Sequence, residues 1–259
     1  MKTRLHDLTV AAKPNYSNWV SKKFIAGPGI LALLFLGASF ALPFLLIFVL
    51  FFGLVGAYFA YAWVRFSAAG GNVQQRVLGL VLARLDWDGR GQALDIGCGN
   101  GPLTIKLAHR YPAARVTGID FWGKNWDYSQ GVCEANARLE GVEANIRFQK
   151  ASAADLPFPD ETFDLAVSNL VFHEVNQVKD KRQLVREALR VVRKGGRFAF
   201  QDLFLLEAYY GKPEVLVALV KSWGVSQVEF VKTCDAPFIP RLLKLPFMVG
   251  KIGVLYGVK

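Results

Sequence analysis

The sequence predicts an α/β protein: a seven-stranded, mostly parallel sheet with helices on both faces, preceded by a two-helix hairpin of membrane-spanning length. Three observations predict it. From residue 67 onward, short apolar runs of β type alternate with stretches of helical period, the pattern of βαβ units. Ahead of them, Phe24 to Val64 is a run of 41 residues without a charge. Between the first apolar run and the helix after it lies a loop with glycine at every second position, Gly97, Gly99 and Gly101. The 259 residues are 53% apolar and carry a net charge of +10, which excludes a disordered chain, a collagen-like chain and a plain soluble protein. Three cysteines, widely spaced and without a CxxC pair, argue against a disulfide framework and against a zinc site.

The amino-terminal region divides into a basic juxtamembrane segment, 1–23, and the apolar hairpin, 24–66. A helix needs about 20 apolar residues to cross a hydrocarbon core, so the uncharged run is twice the requirement, and Pro43 near its middle favours a turn between two crossings. Lys22 and Lys23 close it on one side and Arg65 on the other; positive charge at both ends places both on the cytoplasmic face. Tyr16, Trp19, Tyr58, Tyr61 and Trp63 fall where amphipathic rings favour the headgroup level. The run is too long for a cleaved signal peptide. A buried core hairpin or an element that dips into one leaflet is the competing reading, because Gly27, Pro28 and Gly29 weaken the first helix. Residues 1–23 hold Lys2, Arg4, Lys13, Lys22 and Lys23 against Asp7 alone, so anionic lipid accounts for the basic balance without nucleic acid.

The remainder, 67–259, reads as one α/β domain, with Gly70 and Gly71 as its flexible boundary. Residues 72–85 form a lead-in helix by the spacing of Val73, Val77, Leu80, Val81 and Leu85. Strands read at 92–97, 115–120, 145–151, 163–170 and 197–204, with two more at 227–233 and 251–258. The clearest helix is 180–196, opened by Asp180 and stopped by Gly195 and Gly196. Residues 238–251 mix apolar side chains with Arg241, Lys244 and Lys251, a composition that suits a membrane interface and suits a substrate lid equally.

The loop of LDIGCGNG comes after a strand and opens a helix near Pro102. Glycines there keep side chains away from a ligand that approaches the backbone. A dinucleotide fold would want its third glycine one position later, where Pro102 stands, which argues against a nicotinamide oxidoreductase. Five segments in order, ALDIGCGNG, GIDFW, ASAADLPFPDETFD, AVSNLVFHEV and LRVVRKGGRFAFQD, make residues 93–204 resemble the Rossmann-like catalytic core of the class I S-adenosylmethionine-dependent methyltransferases. The resemblance implies that Asp95, Gly97, Cys98, Gly99, Asn100 and Gly101 line the cofactor's amino and carboxylate groups. It implies that Asp120 accepts from the ribose hydroxyls and that Phe121 or Trp122 stacks beside the base. Asp155 would face the adenine amino group, with Ala154 and Leu156 giving backbone contacts. Where that fold opens onto its substrate, Asn169, His173 and Glu174 are the candidates for binding and for a general base; alternatively His173 and Glu174 cap or pair at the next helix.

Methyl transfer from a sulfonium needs no metal. It asks the protein to hold the nucleophile in line and exclude water. Two departures narrow the acceptor. The SNLVFHE run lacks the Asn or Asp, two prolines and an aromatic that the nucleic-acid amino methyltransferases carry, so a base is a poor acceptor. The cluster Phe121, Trp122, Trp126 and Tyr128 serves an apolar acceptor or packs on the lead-in helix. The expectation is a membrane-anchored methyltransferase, with two spans and its catalytic domain on the cytoplasmic side, acting on a small lipophilic or lipid-headgroup acceptor. A non-catalytic cofactor-binding scaffold and a methyltransferase of a soluble small molecule are the alternatives. The oligomeric state and the identity of the nucleophile stay open.

Overall fold

The structure, a computed structural model, describes residues 13–123 and 128–259. Part of the basic count over 1–23, and Trp126, therefore lie outside the described residues. Two compact units divide the chain: residues 13–16, 81–232 and 252–259 form the first, and Ser17–Leu80 with Thr233–Lys251 the second.

The first unit is built on a seven-stranded sheet: β1 (Gly91–Ile96), β2 (Ala114–Asp120), β3 (Ile146–Lys150), β4 (Phe163–Asn169), β5 (Val192–Asp202), β6 (Gln227–Lys232) and β7 (Gly253–Val258), in the order β3-β2-β1-β4-β5-β7-β6. The first five run parallel, and β7 is antiparallel to both β5 and β6. All seven expected strands are present. The strand sequence runs outward one way from β1 to β3 and the other way from β4, so the β1/β4 junction is the switch point where such sheets bind ligands. Ile96 pairs with Ser168 across that junction, which brings the loop after β1 beside the exit of β4. Leu94, Ile96, Ala166, Phe198, Phe200 and Leu255 bury one face of the central strands, and Ala93, Leu165, Val167, Ala199 and Val254 bury the other.

Helices α4 (Pro102–Arg110), α5 (Gln130–Leu139), α6 (Arg182–Arg190), α7 (Glu207–Tyr210) and α8 (Pro213–Ser222) complete this unit. One boundary corrects the sequence reading. The helix expected over 180–196 ends at Arg190, and Gly195 and Gly196 lie inside β5. Val191 and Val192 are fully buried β-branched residues that enter the sheet, and the register of β5 against β4 shifts between Phe163 and Leu165 to take up the glycines.

In the second unit, α1 (Lys23–Ser39) and α2 (Leu46–Phe66) form an antiparallel hairpin: Phe24 stacks on Phe59 at 5.2 Å and Phe35 on Phe48 at 4.9 Å between ring centroids. Pro43 opens the 3-10 turn Pro43–Leu45 between them, as expected. Pro28 sits within the second turn of α1, and the helix runs on past it. Most of the large apolar side chains point outward: Ile30, Leu33, Leu34, Ile47, Leu50, Phe51 and Leu54 are all exposed. The expectation of two crossings meets an unequal pair. Pro43–Phe66, 24 residues of mean hydropathy 2.3, is long and apolar enough to cross a membrane, whereas α1 has 17 residues. The lead-in helix α3 (Val73–Leu82) is three residues shorter than its apolar spacing suggests.

Candidate active site

Three strand ends meet at the switch point. The chain leaves β1 through Gly97, whose N–H, with that of Cys98, donates to the carbonyl of Ile119 in β2 at 2.8 and 2.9 Å. Gly97 adopts φ +72°, and a β-carbon on it would collide with the Val171 side chain beyond β4, so only glycine fits there. Gly99 also has a positive φ, and the Tyr128 ring lies 3.7 Å from where its β-carbon would be. The loop then opens α4 with Pro102 at its first position, where a missing N–H costs nothing.

Carboxylates hold this loop from below and beside. Asp95 is fully buried in β1; Thr104 Oγ1 donates to its Oδ2 at 2.6 Å. Burial pushes its carboxyl up to about 7, against the lowering effect of the Thr104 hydroxyl. Asp120, the last residue of β2, accepts the Gly99 N–H on Oδ2 at 2.9 Å and the Trp122 N–H on Oδ1 at 2.7 Å. Burial raises its pKa too, and those N–H bonds work against the rise.

The aromatic expectations separate. Trp122 takes a left-handed φ of +44° and donates its indole Nε1–H to the Gly99 carbonyl at 2.9 Å, so it is tied to the glycine loop. Phe121 is 56% exposed, with Lys150 Nζ 5.3 Å from its ring centre. Of the cluster expected to meet an acceptor or the lead-in helix, Trp122 and Tyr128 lie against Gly99.

Beyond the end of β3, Asp155 is exposed and closes a tight turn with Ser152, whose Oγ takes the Ala154 N–H at 3.1 Å. The Leu156 N–H donates to Glu187 Oε1 at 2.8 Å, and Arg190 Nη2 donates to the Leu156 carbonyl at 3.0 Å. The N–H groups of Ala154 and Leu156, two residues expected to offer backbone contacts to the cofactor, thus donate to protein partners.

At the exit of β4, Asn169 Oδ1 is buried without a hydrogen-bond partner. Leu170 then takes a left-handed φ of +58°, and the chain turns through Val171 to Glu174. That turn is built on Asp202, the last residue of β5, which is fully buried. Its Oδ2 accepts the N–H groups of Val171 and Phe172 at 3.0 and 2.8 Å. Its Oδ1 accepts from the Leu203 N–H at 2.7 Å and the Tyr210 hydroxyl at 3.1 Å, and pairs with His173 Nδ1 at 2.8 Å. His173 Nε2 lies 3.7 Å from Glu174 Oε1. Burial lowers the His173 pKa, but the hydrogen bond and charge of Asp202 outweigh it and leave the imidazole above its ordinary value. Burial first, with Asp202 and Asp120 adding, raises Glu174 against the opposing His173. His173 therefore lies between two carboxylates, hydrogen-bonded to Asp202 and paired with Glu174.

The structure adds residues that the sequence reading missed. Asp202 stands in the run RFAFQD, and an acid closing an apolar strand was a usable signal. Asn136, buried in α5, gave none: its Nδ2 donates to the Asn100 carbonyl at 2.9 Å and to the Asn15 carbonyl at 2.9 Å, and its Oδ1 accepts the Asn15 N–H at 2.8 Å. Cys133 Sγ donates to the Gly99 carbonyl at 3.0 Å.

Comparison with known proteins agrees with this geometry. Residues 94–200 match a family model described as a methyltransferase domain. An O-methyltransferase, rstn1, of Aspergillus nomiae is 35% identical over 130 residues, 49% of this chain and 53% of that protein. The chain spans about half the length of the curated relatives it matches. Among solved structures, a geranyl diphosphate methyltransferase in complex with S-adenosylmethionine is 14% identical, with 76% of this chain and 89% of that one covered at a TM-score of 0.55. The [4+2]-cyclase SpnF is 21% identical, with 73% and 81% covered at a TM-score of 0.53. A cyclase on the same fold shows that the fold does not fix the chemistry, which has to be argued from the site. Loop geometry, sheet order and the match over residues 94–200 agree in a Rossmann-like fold of the kind that methyltransferase domains adopt.

Proposed function

We propose that the protein is a membrane-anchored, S-adenosylmethionine-dependent methyltransferase that acts on a hydroxyl of a small lipophilic acceptor. The observation that carries this reading is the buried Asp202–His173 pair at the exits of β4 and β5, beside the glycine loop. The site fits the cofactor. Gly97, Gly99 and Gly101 leave the loop backbone without side chains at every second position, and the orphaned acceptor Asn169 Oδ1 suits an N–H donor such as the cofactor's amino group. Asp95 adds a second acceptor for that amino group. Asp120, a half-buried carboxylate at the end of β2 that accepts the Gly99 and Trp122 N–H groups, suits the ribose hydroxyls. When bound, S-adenosylmethionine supplies a methyl group already activated on a sulfonium.

His173 handles the proton. Asp202 accepting at Nδ1 fixes the tautomer that carries its hydrogen there and leaves Nε2 with a lone pair. Nε2 takes the acceptor's O–H proton as the oxygen becomes nucleophilic, and Asp202 with Glu174 stabilises the imidazolium that forms. A base is useful only to a nucleophile with a proton to lose, which favours oxygen and agrees with the O-methyltransferase relative. The outward-facing apolar side chains of α1 and α2 support the membrane part of the reading.

The test is incubation of the full-length protein in lipid nanodiscs with methyl-labelled cofactor and a total membrane extract. Label is expected on the hydroxyl of a lipophilic molecule. His173→Ala should lower turnover by about 10²- to 10⁴-fold, the range for losing a general base, with cofactor affinity unchanged. Label found only in water-soluble compounds would replace the lipophilic acceptor with a soluble one. No labelled product at all would leave a cofactor-binding scaffold.

A further inference from the structure

We infer that residues 238–248 form a second lipid-contacting element, seated on the hairpin and built for the headgroup layer of an anionic membrane. The inference deepens the membrane reading above and rests on it. By composition alone this segment suits a substrate lid equally well. In the structure it belongs to the same compact unit as α1 and α2. Tyr58 of α2 donates its hydroxyl to the Leu242 carbonyl at 2.9 Å, and its ring meets Phe247 edge-on at 5.7 Å.

The segment sorts its apolar residues into two sets. Ile239 and Leu243 are buried and hold it down, with the N–H of the buried Val249 just beyond it donating to the Leu243 carbonyl at 3.1 Å. Leu242, Leu245 and Phe247 stand outward at 56%, 36% and 65% exposure. Exposed Arg241 and Lys244 flank Leu242, and no acidic residue lies between Asp235 and the end of the segment. Large apolar side chains alternating with cations, on a backbone fixed to an apolar helix, match a surface with acyl chains below and anionic headgroups above.

Depth agrees with that placement. Tyr58 lies seven residues before Arg65, the basic residue at the end of α2, which at 1.5 Å per residue puts it about 10 Å along the helix from that charge. With Arg65 among the headgroups, Leu242 and Phe247 sit at the boundary of headgroup and acyl chain, the depth of roughly 5 to 10 Å at which interfacial elements bury their apolar face. The other end of the hairpin base has the same character: Lys22 Nζ lies 5.6 Å from the Trp63 ring centre, and Trp19 packs on Phe66 at 5.7 Å.

The test uses the full chain with Cys234→Ser, since Cys98 and Cys133 are buried. A fluorophore is placed at Leu242→Cys or, separately, at Ile47→Cys in the hairpin, and the protein is reconstituted into vesicles of phosphatidylcholine and phosphatidylglycerol carrying nitroxide-labelled lipid. Both labels should lose at least half of their fluorescence, the Leu242→Cys label most with the nitroxide near the headgroup and the Ile47→Cys label most with it deep in the acyl chain. Arg241→Gln with Lys244→Gln should at least halve the quenching at Leu242→Cys and leave that at Ile47→Cys unchanged. Quenching at Ile47→Cys alone would overturn the inference and leave the segment as a lid, with the membrane reading intact. Quenching at neither would remove the membrane reading and this inference with it. An unchanged signal in the charge-neutralised protein would overturn the anionic specificity.

Discussion

Asp95 links the acidity of the site to its ligand. Its carboxyl, pushed by burial up to about 7, is neutral in the folded protein at mildly acidic pH, where an unfolded chain would carry it ionised. Its contribution to stability is therefore full below its ordinary value and is lost as pH rises toward 7. A cationic amino group favours the ionised form, so affinity for S-adenosylmethionine should rise about tenfold between pH 6 and pH 8, and Asp95→Asn should flatten that dependence. Calorimetric titration across that range measures it; a wild-type affinity independent of pH would separate Asp95 from the cofactor. Asn136 offers a second handle. It ties the Asn100 carbonyl of the loop to Asn15, 121 residues away in sequence from Asn136, and Asn136→Leu should weaken cofactor binding about tenfold by freeing both. Asp95 and Asp120 were legible as candidates through the family resemblance of their segments, LDIGCGNG and GIDFW. The roles of Asn136 and Asp202 were not, because each depends on partners that only the finished sheet brings near.

Local patterns carried the elements well where one force dominated. The seven strands came from apolar runs, and Pro43 marked the hairpin turn because its ring admits little else. The end of α6 failed because two signals conflicted: the glycine pair offers a helix cap, yet Val191 and Val192 before it gain more by entering the sheet. The last residue of α6 matters to the site, since Arg190 is the clasp of the 156–160 turn. Its guanidinium donates to Glu187 on two nitrogens, to Asp160 at 2.7 Å and to the carbonyls of Phe158 and Leu156. Lysine keeps the charge and loses the fork. Arg190→Lys should cost about 1 to 2 kcal/mol of stability, read as a lower urea midpoint at constant m, and should weaken the cofactor affinity as the turn beside Asp155 loosens. Unchanged affinity at lowered stability would confine Arg190 to a structural role. For the exit of β4, activity should rise with pH through the His173 pKa, which lies above its ordinary value. Asp202→Asn removes the charge that raises it, so the acidic limb should move to lower pH as turnover falls.

The hairpin poses the remaining question of how the chain meets a bilayer. Both of its feet are basic, Lys22 and Lys23 before α1 and Arg65 at the end of α2, and the antiparallel stacking of Phe24 on Phe59 puts those feet at one end. A hairpin with both feet on one side can cross twice or dip and return. At 1.5 Å per residue the 17 residues of α1 extend about 25 Å, short of the roughly 30 Å hydrocarbon core. The tip decides between the two. Phe40, Leu42 and Phe44 are 88%, 51% and 66% exposed, and no residue from Phe40 to Leu46 is polar, so a tip emerging into water on the far side would expose three large apolar side chains. Each would forgo about 1.5 to 3 kcal/mol of burial. A tip held among the acyl chains forgoes none of it, and the backbone of its turn is served by the bonds from Ala41 and Leu42 N–H to the Ala38 carbonyl and from Leu45 N–H to the Leu42 carbonyl. The expected arrangement is a hairpin that enters and leaves through the same leaflet. With Cys234→Ser in place, Phe40→Cys should resist a membrane-impermeant maleimide from either side of sealed vesicles, while Lys22→Cys and Arg65→Cys react from the same side. Labelling of Phe40→Cys from the side opposite the feet would establish two full crossings. Labelling of Lys22→Cys and Arg65→Cys from opposite sides would leave a single crossing by α2.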